Sequence, residues 1–215
     1  MKYKIAYIDE DDGWLNQFYH TFKSDFEILK IKADVNTTLD DIVSTIFEKE
    51  MDGVITDYLL DETGEVEFNG NQVIDAIRDY KPYFPALMLT AHEPQAINHT
   101  EDVNIINGKD ILDGENEKRL AILKVKIKSN IDRYYEMIAN TQTRIEELVR
   151  KRNEDSLEPN EEEELTKLFI VMDELEPEGK EMPANLVEKE AITKLNTFVA
   201  QTREILDELK KQSKE

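Results

Sequence analysis

Gly53-Val54-Ile55-Thr56-Asp57 decides the fold of this chain. It is a short apolar run closed by a carboxylate, and three other apolar runs end in a polar residue. Tyr3–Ile8 runs into Asp9-Glu10-Asp11-Asp12, Ala86–Leu89 into Thr90, and Val103–Ile106 stops shortly before Lys109. Runs of this length bounded by turn residues read as buried strands. Amphipathic segments lie between them: Trp14, Leu15, Phe18, Tyr19 and Phe22, then Leu39, Ile42, Val43, Ile46 and Phe47, then Val73, Ile74 and Ile77, each at helical spacing. Strands alternating with helices imply a parallel sheet with right-handed crossovers.

A parallel sheet presents the C-terminal ends of its strands at one edge, where open α/β folds bind their ligands. The four run ends therefore predict a meeting of two or three carboxylates, a hydroxyl and an ammonium. Clustered carboxylates hold a hard dication such as Mg²⁺ through oxygen. The dication, hydroxyl and ammonium together suit stabilisation of a phosphoryl group on Asp57.

Composition narrows the classes. The chain has 215 residues, 40% of them hydrophobic, which is enough for a core. The absence of cysteine excludes disulfides, thiolate metal sites and cysteine nucleophiles. No apolar run approaches the roughly 20 residues of a membrane span. Met1–Ile5 leads into strand-like sequence without a signal-peptide core, and the expected location is cytoplasmic. The net charge of −21 disfavours binding to phosphate backbones. Residues 116–153, with ten basic and five acidic side chains, form the one basic segment, read as a helix between acidic neighbours.

In detail, residues 3–8, 26–33, 53–57, 86–90 and 103–107 are the expected strands. Thr37-Thr38 is the expected cap of the second helix, with Asp40 and Asp41 in its first turn. Leu59–Asn69 is an acidic, glycine-containing loop. Only 19 positions separate Thr90 from Lys109, so the fourth helix should be short or irregular.

From Asn116 to Asn153 there is no Gly or Pro. Leu120, Leu123, Ile127, Ile131, Tyr134, Ile138, Thr141, Ile145 and Leu148 recur in steps of three and four, which is coiled-coil spacing. One helix roughly 55 Å long follows at about 1.5 Å per residue. Asn160, with Glu163 three residues on, looks like the next helix start; Leu165, Leu168, Phe169, Met172 and Leu175 are its apolar face. After a loop over 177–183, a last helix is expected from Ala184 to Lys211, with a stripe of Ile192, Leu195, Val199, Thr202, Leu206 and Leu209. The two long helices, joined by a short helical connector, are expected to pair as an antiparallel hairpin or between two chains.

Residues 1–120 resemble the receiver domain of bacterial two-component response regulators. The resemblance rests on Ile5-Ala6-Tyr7-Ile8-Asp9-Glu10-Asp11, Asp52–Asp57, Gly70–Arg78, Phe84–Ala91 and Val103–Lys109, in this order and spacing. It implies a flavodoxin-like five-stranded parallel sheet of order 2-1-3-4-5 over residues 1–118. An all-α, coiled-coil-like output or dimerisation region over 119–215 follows it. Asp57 then aligns with the phosphoacceptor, Thr90 with the hydroxyl that contacts the phosphoryl group, and Lys109 with the lysine that pairs with both. Asp9 and Glu10 align with the metal acids, with Asp11 able to share that work; the main-chain carbonyl of Leu59 completes the set by family analogy. The implied cofactor is Mg²⁺ or Mn²⁺, and the implied phosphodonor a sensor histidine kinase.

Several positions depart from the family. Gly70 comes later than usual after Asp57, Ile106 stands where a switching Tyr or Phe is common, and Asp110 replaces the usual proline after Lys109. The threonine–aromatic switch, and dimerisation through the fourth helix, fifth strand and fifth helix, do not carry over.

The expected function is a response regulator that signals through protein–protein contact or homodimerisation of its C-terminal helices. The alternative is a phosphate sink or relay intermediate, and a nucleic-acid-binding regulator ranks lower. The C-terminal region carries no catalytic motif, so the only catalysis expected is the receiver's own transfer and self-hydrolysis.

Overall fold

The computed structural model describes residues 2–61, 64–154 and 156–177. Within them, five strands alternate with helices: β1 (Lys4–Asp9), α1 (Asp12–Phe22), β2 (Glu27–Lys32), α2 (Leu39–Glu48), β3 (Gly53–Thr56), α3 (Gly70–Tyr80), β4 (Ala86–Thr90), α4 (Glu93–His99) and β5 (Ile106–Gly108). Two further helices follow, α5 (Glu117–Glu154) and α6 (Pro159–Leu175). All strands are parallel, in the order β2-β1-β3-β4-β5. This is the expected flavodoxin-like sheet.

Burial follows position in the sheet. β3 and β4 are buried throughout, whereas β2, at an edge, alternates between half-buried and exposed residues. The core is built from Ile5, Ile8, Phe18, Phe22, Ile42, Ile46, Ile55, Ile74, Ile77 and Met88. Side-chain capping fixes the helix starts. Asp11 accepts the Trp14 amide at the head of α1, and Thr38 and Asp41 cap α2 reciprocally.

Two details differ from the sequence reading. Val103–Ile105 is a 3₁₀ turn, and β5 begins only at Ile106. The Asp102 carboxylate accepts the Asn104 amide and holds the turn closed. α6 begins with Glu158 rather than Asn160 as its cap: Glu158 and Glu161 form the capping box, and Pro159 takes the first helical position, where its missing N–H costs nothing. The fourth helix has seven residues, short as expected.

α5 has 38 residues. Leu123, Ile127, Ile131, Tyr134, Thr141 and Leu148 of its expected stripe are buried, and Leu120, Ile138 and Ile145 are half-buried. The first part of the stripe, to Ile131, belongs to the sheet's core. Farther along, α6 folds back antiparallel on α5, pairing Tyr134 with Leu175, Arg144 with Glu164 and Lys151 with Glu161. The segment expected to be a mere connector is thus itself the returning helix. The expected last helix, 184–211, and its pairing lie outside the described residues. No described helix is long and apolar enough to cross a membrane.

Candidate functional site

Strand register builds the site. Ile8 pairs with Thr56, so the residues that follow, Asp9 at the end of β1 and Asp57 just past β3, come side by side. The Asp57 amide still donates to the Ile8 carbonyl at 2.9 Å, which fixes Asp57 one step past the end of β3. On the other flank Thr90 pairs with Gly108, and Lys109 follows directly.

Lys109 ties the acids together. Its Nζ lies 2.5 Å from Asp57 Oδ2 and 2.8 Å from Asp9 Oδ2, and all three residues are buried. Burial pushes the lysine's pKa down, but the two carboxylates outweigh it and the net shift is upward, so the ammonium stays charged. Its other neighbour is the Trp14 ring, whose centroid is 4.8 Å from Nζ. Asp57 Oδ1 accepts the Tyr58 amide at 2.6 Å.

Burial raises the pKa of Asp9, against the pull of Lys109 and of the Tyr7 hydroxyl. Glu10 is pushed up to about 7, by burial first, with the charges of Asp9 and Asp57 adding to it. Its Oε2 is buried and has no hydrogen-bond partner. Single carboxylate oxygens of Asp9, Glu10 and Asp57 lie within 4.8 Å of one another. An all-oxygen set with an unpartnered buried oxygen fits a hard dication.

The remaining sequence candidates fall around this centre. Asp11 is outside the three-carboxylate cluster, with its Oδ1 engaged in capping α1. Thr90 is fully buried at the end of β4, and its Oγ1 accepts the His92 amide at 3.0 Å. Leu59 is half-buried two residues past Asp57. The structure therefore unites Asp9, Glu10, Asp57 and Lys109, with Thr90 on the adjoining strand.

Sequence reasoning passed over three residues. Tyr7 reads as strand core, yet its hydroxyl donates to Asp9 Oδ2 at 2.5 Å; the signal is a polar tip two residues from the acid, on the same face of the strand. Trp14 reads as helix stripe, yet its ring faces the Lys109 ammonium. Gly70 was noted for spacing alone, but a Cβ there would lie 1.8 Å from the Asp57 carbonyl oxygen.

No family model matches the chain, and no curated protein matches it. Solved structures do. A response regulator receiver protein from Sinorhizobium medicae is 19% identical with a TM-score of 0.45, over 61% of this chain and 95% of that one. A receiver domain protein from Clostridium thermocellum gives the same figures. The chemotaxis response regulator CheY4 of Vibrio cholerae is 17% identical with a TM-score of 0.43, over 59% and 99%. The chain is similar to these in fold.

Proposed function

We propose that this chain is a response regulator that accepts a phosphoryl group on Asp57 from the phosphohistidine of a sensor kinase. The observation that supports this best is the buried Lys109 ammonium between Asp57 and Asp9, with Glu10 beside them. In the transfer, an Asp57 oxygen forms the new bond to phosphorus as the phosphorus–nitrogen bond breaks. The histidine nitrogen leaves with the electron pair. Lys109 follows the charge onto the phosphoryl oxygens, as a compact ammonium can, and the Thr90 hydroxyl offers a hydrogen bond. Asp9, Glu10, Asp57 and the Leu59 carbonyl would hold Mg²⁺ or Mn²⁺, which when bound neutralises charge on the transferring group.

Signal output runs through protein–protein contact of the helices beyond the sheet, by a shift in populations that the phosphoryl group biases. Intact mass after incubation with acetyl phosphate and Mg²⁺, on wild type and Asp57→Asn, tests the first half. A single phosphoryl adduct absent from the variant is expected, and no adduct from this or a phosphoramidate donor overturns the reading. Size-exclusion light scattering on the same samples tests the second half. A change of association or shape supports helical output, and its absence favours a sink or relay.

A further inference from the structure

Tyr7 is fully buried in β1, and its ring stacks on Phe18 with centroids 4.0 Å apart. Phenylalanine would fill that space equally well. The hydroxyl is what distinguishes the residue, and burying a hydroxyl is costly unless it finds a partner. Its partner is Asp9 Oδ2, the same oxygen that Lys109 reaches. Asp9 Oδ1 in turn accepts the Asp11 amide at 3.1 Å. The fully buried Asp9 carboxylate therefore rests on three donors: an ammonium, a phenol and an amide.

We infer that Tyr7 is a positioning residue for the carboxylate site, holding Asp9 oriented toward a bound divalent cation both at rest and when Lys109 turns away to Asp57's phosphoryl group. The inference rests on the receiver reading above. Of the three donors, Lys109 is the one that transfer draws off. The phenol and the amide come from β1 and the start of α1, and neither has to move. With both in place, Asp9 neither swings nor becomes an unpaired buried anion. A donor behind a metal-binding carboxylate fixes its orientation, and losing such a partner typically weakens metal binding by about 10–100-fold. Tyr7 touches neither phosphoryl group nor cation, so its effect passes through Asp9.

Isothermal titration of the full chain with Mg²⁺, without phosphodonor, tests this on wild type, Tyr7→Phe, Asp9→Asn and the double variant. Tyr7→Phe is expected to bind about tenfold more weakly while the rate of adduct formation at saturating Mg²⁺ stays within about threefold, a separation that general loosening of the core does not produce. In the Asp9→Asn background the same replacement is expected to change nothing. Equal affinity of Tyr7→Phe and wild type overturns the inference, as does an equal loss in both backgrounds, which marks a packing effect. If wild type itself binds no Mg²⁺, the dication reading falls first, and the inference with it. Melting of the cation-free proteins confirms that Tyr7→Phe is folded.

Discussion

Gly70 stands against the main-chain oxygen of Asp57, so close that a Cβ would lie 1.8 Å from it. The first residue of α3 and the residue just past the end of β3 thus share a contact only glycine permits. The Gly70 amide also donates to the Tyr58 carbonyl at 2.8 Å, closing the loop that leaves the site. Gly70→Ala must displace either the Asp57 backbone or the first turn of α3. A loss of about 1–3 kcal/mol, typical of overpacking, is expected in urea melts, together with a lower adduct yield. Asn71→Ala, one position on, should leave the yield unchanged. Wild-type yield from Gly70→Ala would show that the contact relaxes harmlessly.

Trp14 is the chain's one tryptophan, and its ring faces the Lys109 ammonium. If Lys109 shifts toward a phosphoryl group, the charge over the indole moves with it. Tryptophan emission should change on adding acetyl phosphate with Mg²⁺, with the same time course as the adduct. Lys109→Met should alter the resting emission and abolish the response. Trp14→Leu should cost about 1 kcal/mol, the usual worth of a cation–π contact. An emission that stays flat while adduct accumulates would rule out movement of Lys109 relative to the ring.

The sheet and the carboxylate site were legible because burial forces regularity. Gly53–Asp57 has to be a central strand, and its register with β1 brings Asp9 to Asp57 without any further signal. The α5 stripe was legible for the same reason: a 3-4 repeat without glycine or proline admits one reading. The misses came from local competition. Val103–Ile105 has strand composition, yet the Asp102 carboxylate accepts the Asn104 amide and its carbonyl the Ile105 amide, which favours a tighter turn. Asn160 is the better capping residue by type, but Pro159 suits the first helical position and moves the cap to Glu158. Long-range contacts, such as Lys109 under Trp14 or Lys81 with Glu176, leave no periodic trace.

Glu10 gives the fold a pH dependence. Its pKa rises from 4.5 to about 7 on folding, so between these values the folded chain holds the proton that the unfolded chain releases. Stability therefore falls as pH rises through that window, and the full cost stands above pH 7. Glu10 is half-buried, and screening by solvent reduces the effect to about 1 kcal/mol. In Mg²⁺-free buffer Glu10→Gln should melt about 2–4 °C above wild type at pH 8 and level with it at pH 4.5. Mg²⁺ at pH 8 should raise the wild-type melting temperature more than that of the variant. An identical difference at both pH values would mean that Glu10 is not held out of water as its position implies.

The end of α6 is fastened to the sheet domain at the edge opposite Asp57. Tyr134 of α5 donates to the Leu175 carbonyl at 2.7 Å, Lys81 pairs with Glu176 at 3.0 Å, and the Tyr83 hydroxyl bonds Glu174 at 3.2 Å. Leu175 is fully buried there. The contacts are unequal. Leu175→Ala empties a closed position and should cost about 2–5 kcal/mol. Tyr134→Phe leaves a buried carbonyl without its donor and should cost about 1–3 kcal/mol. Arg144→Ala removes a two-pronged pair with Glu164 that stays open to water, and should cost under about 1 kcal/mol. If α6 detaches without the sheet unfolding, the loss should appear as faster hydrogen exchange across residues 159–175, with β1, β3 and β4 unchanged. Equal exchange in all three variants would show that the surface ion pairs hold α6 as firmly as its buried end. Exchange that rises in the strands as well would make the hairpin part of the sheet's own cooperative unit, and phosphorylation at Asp57 could then reach α6 only by altering the whole domain.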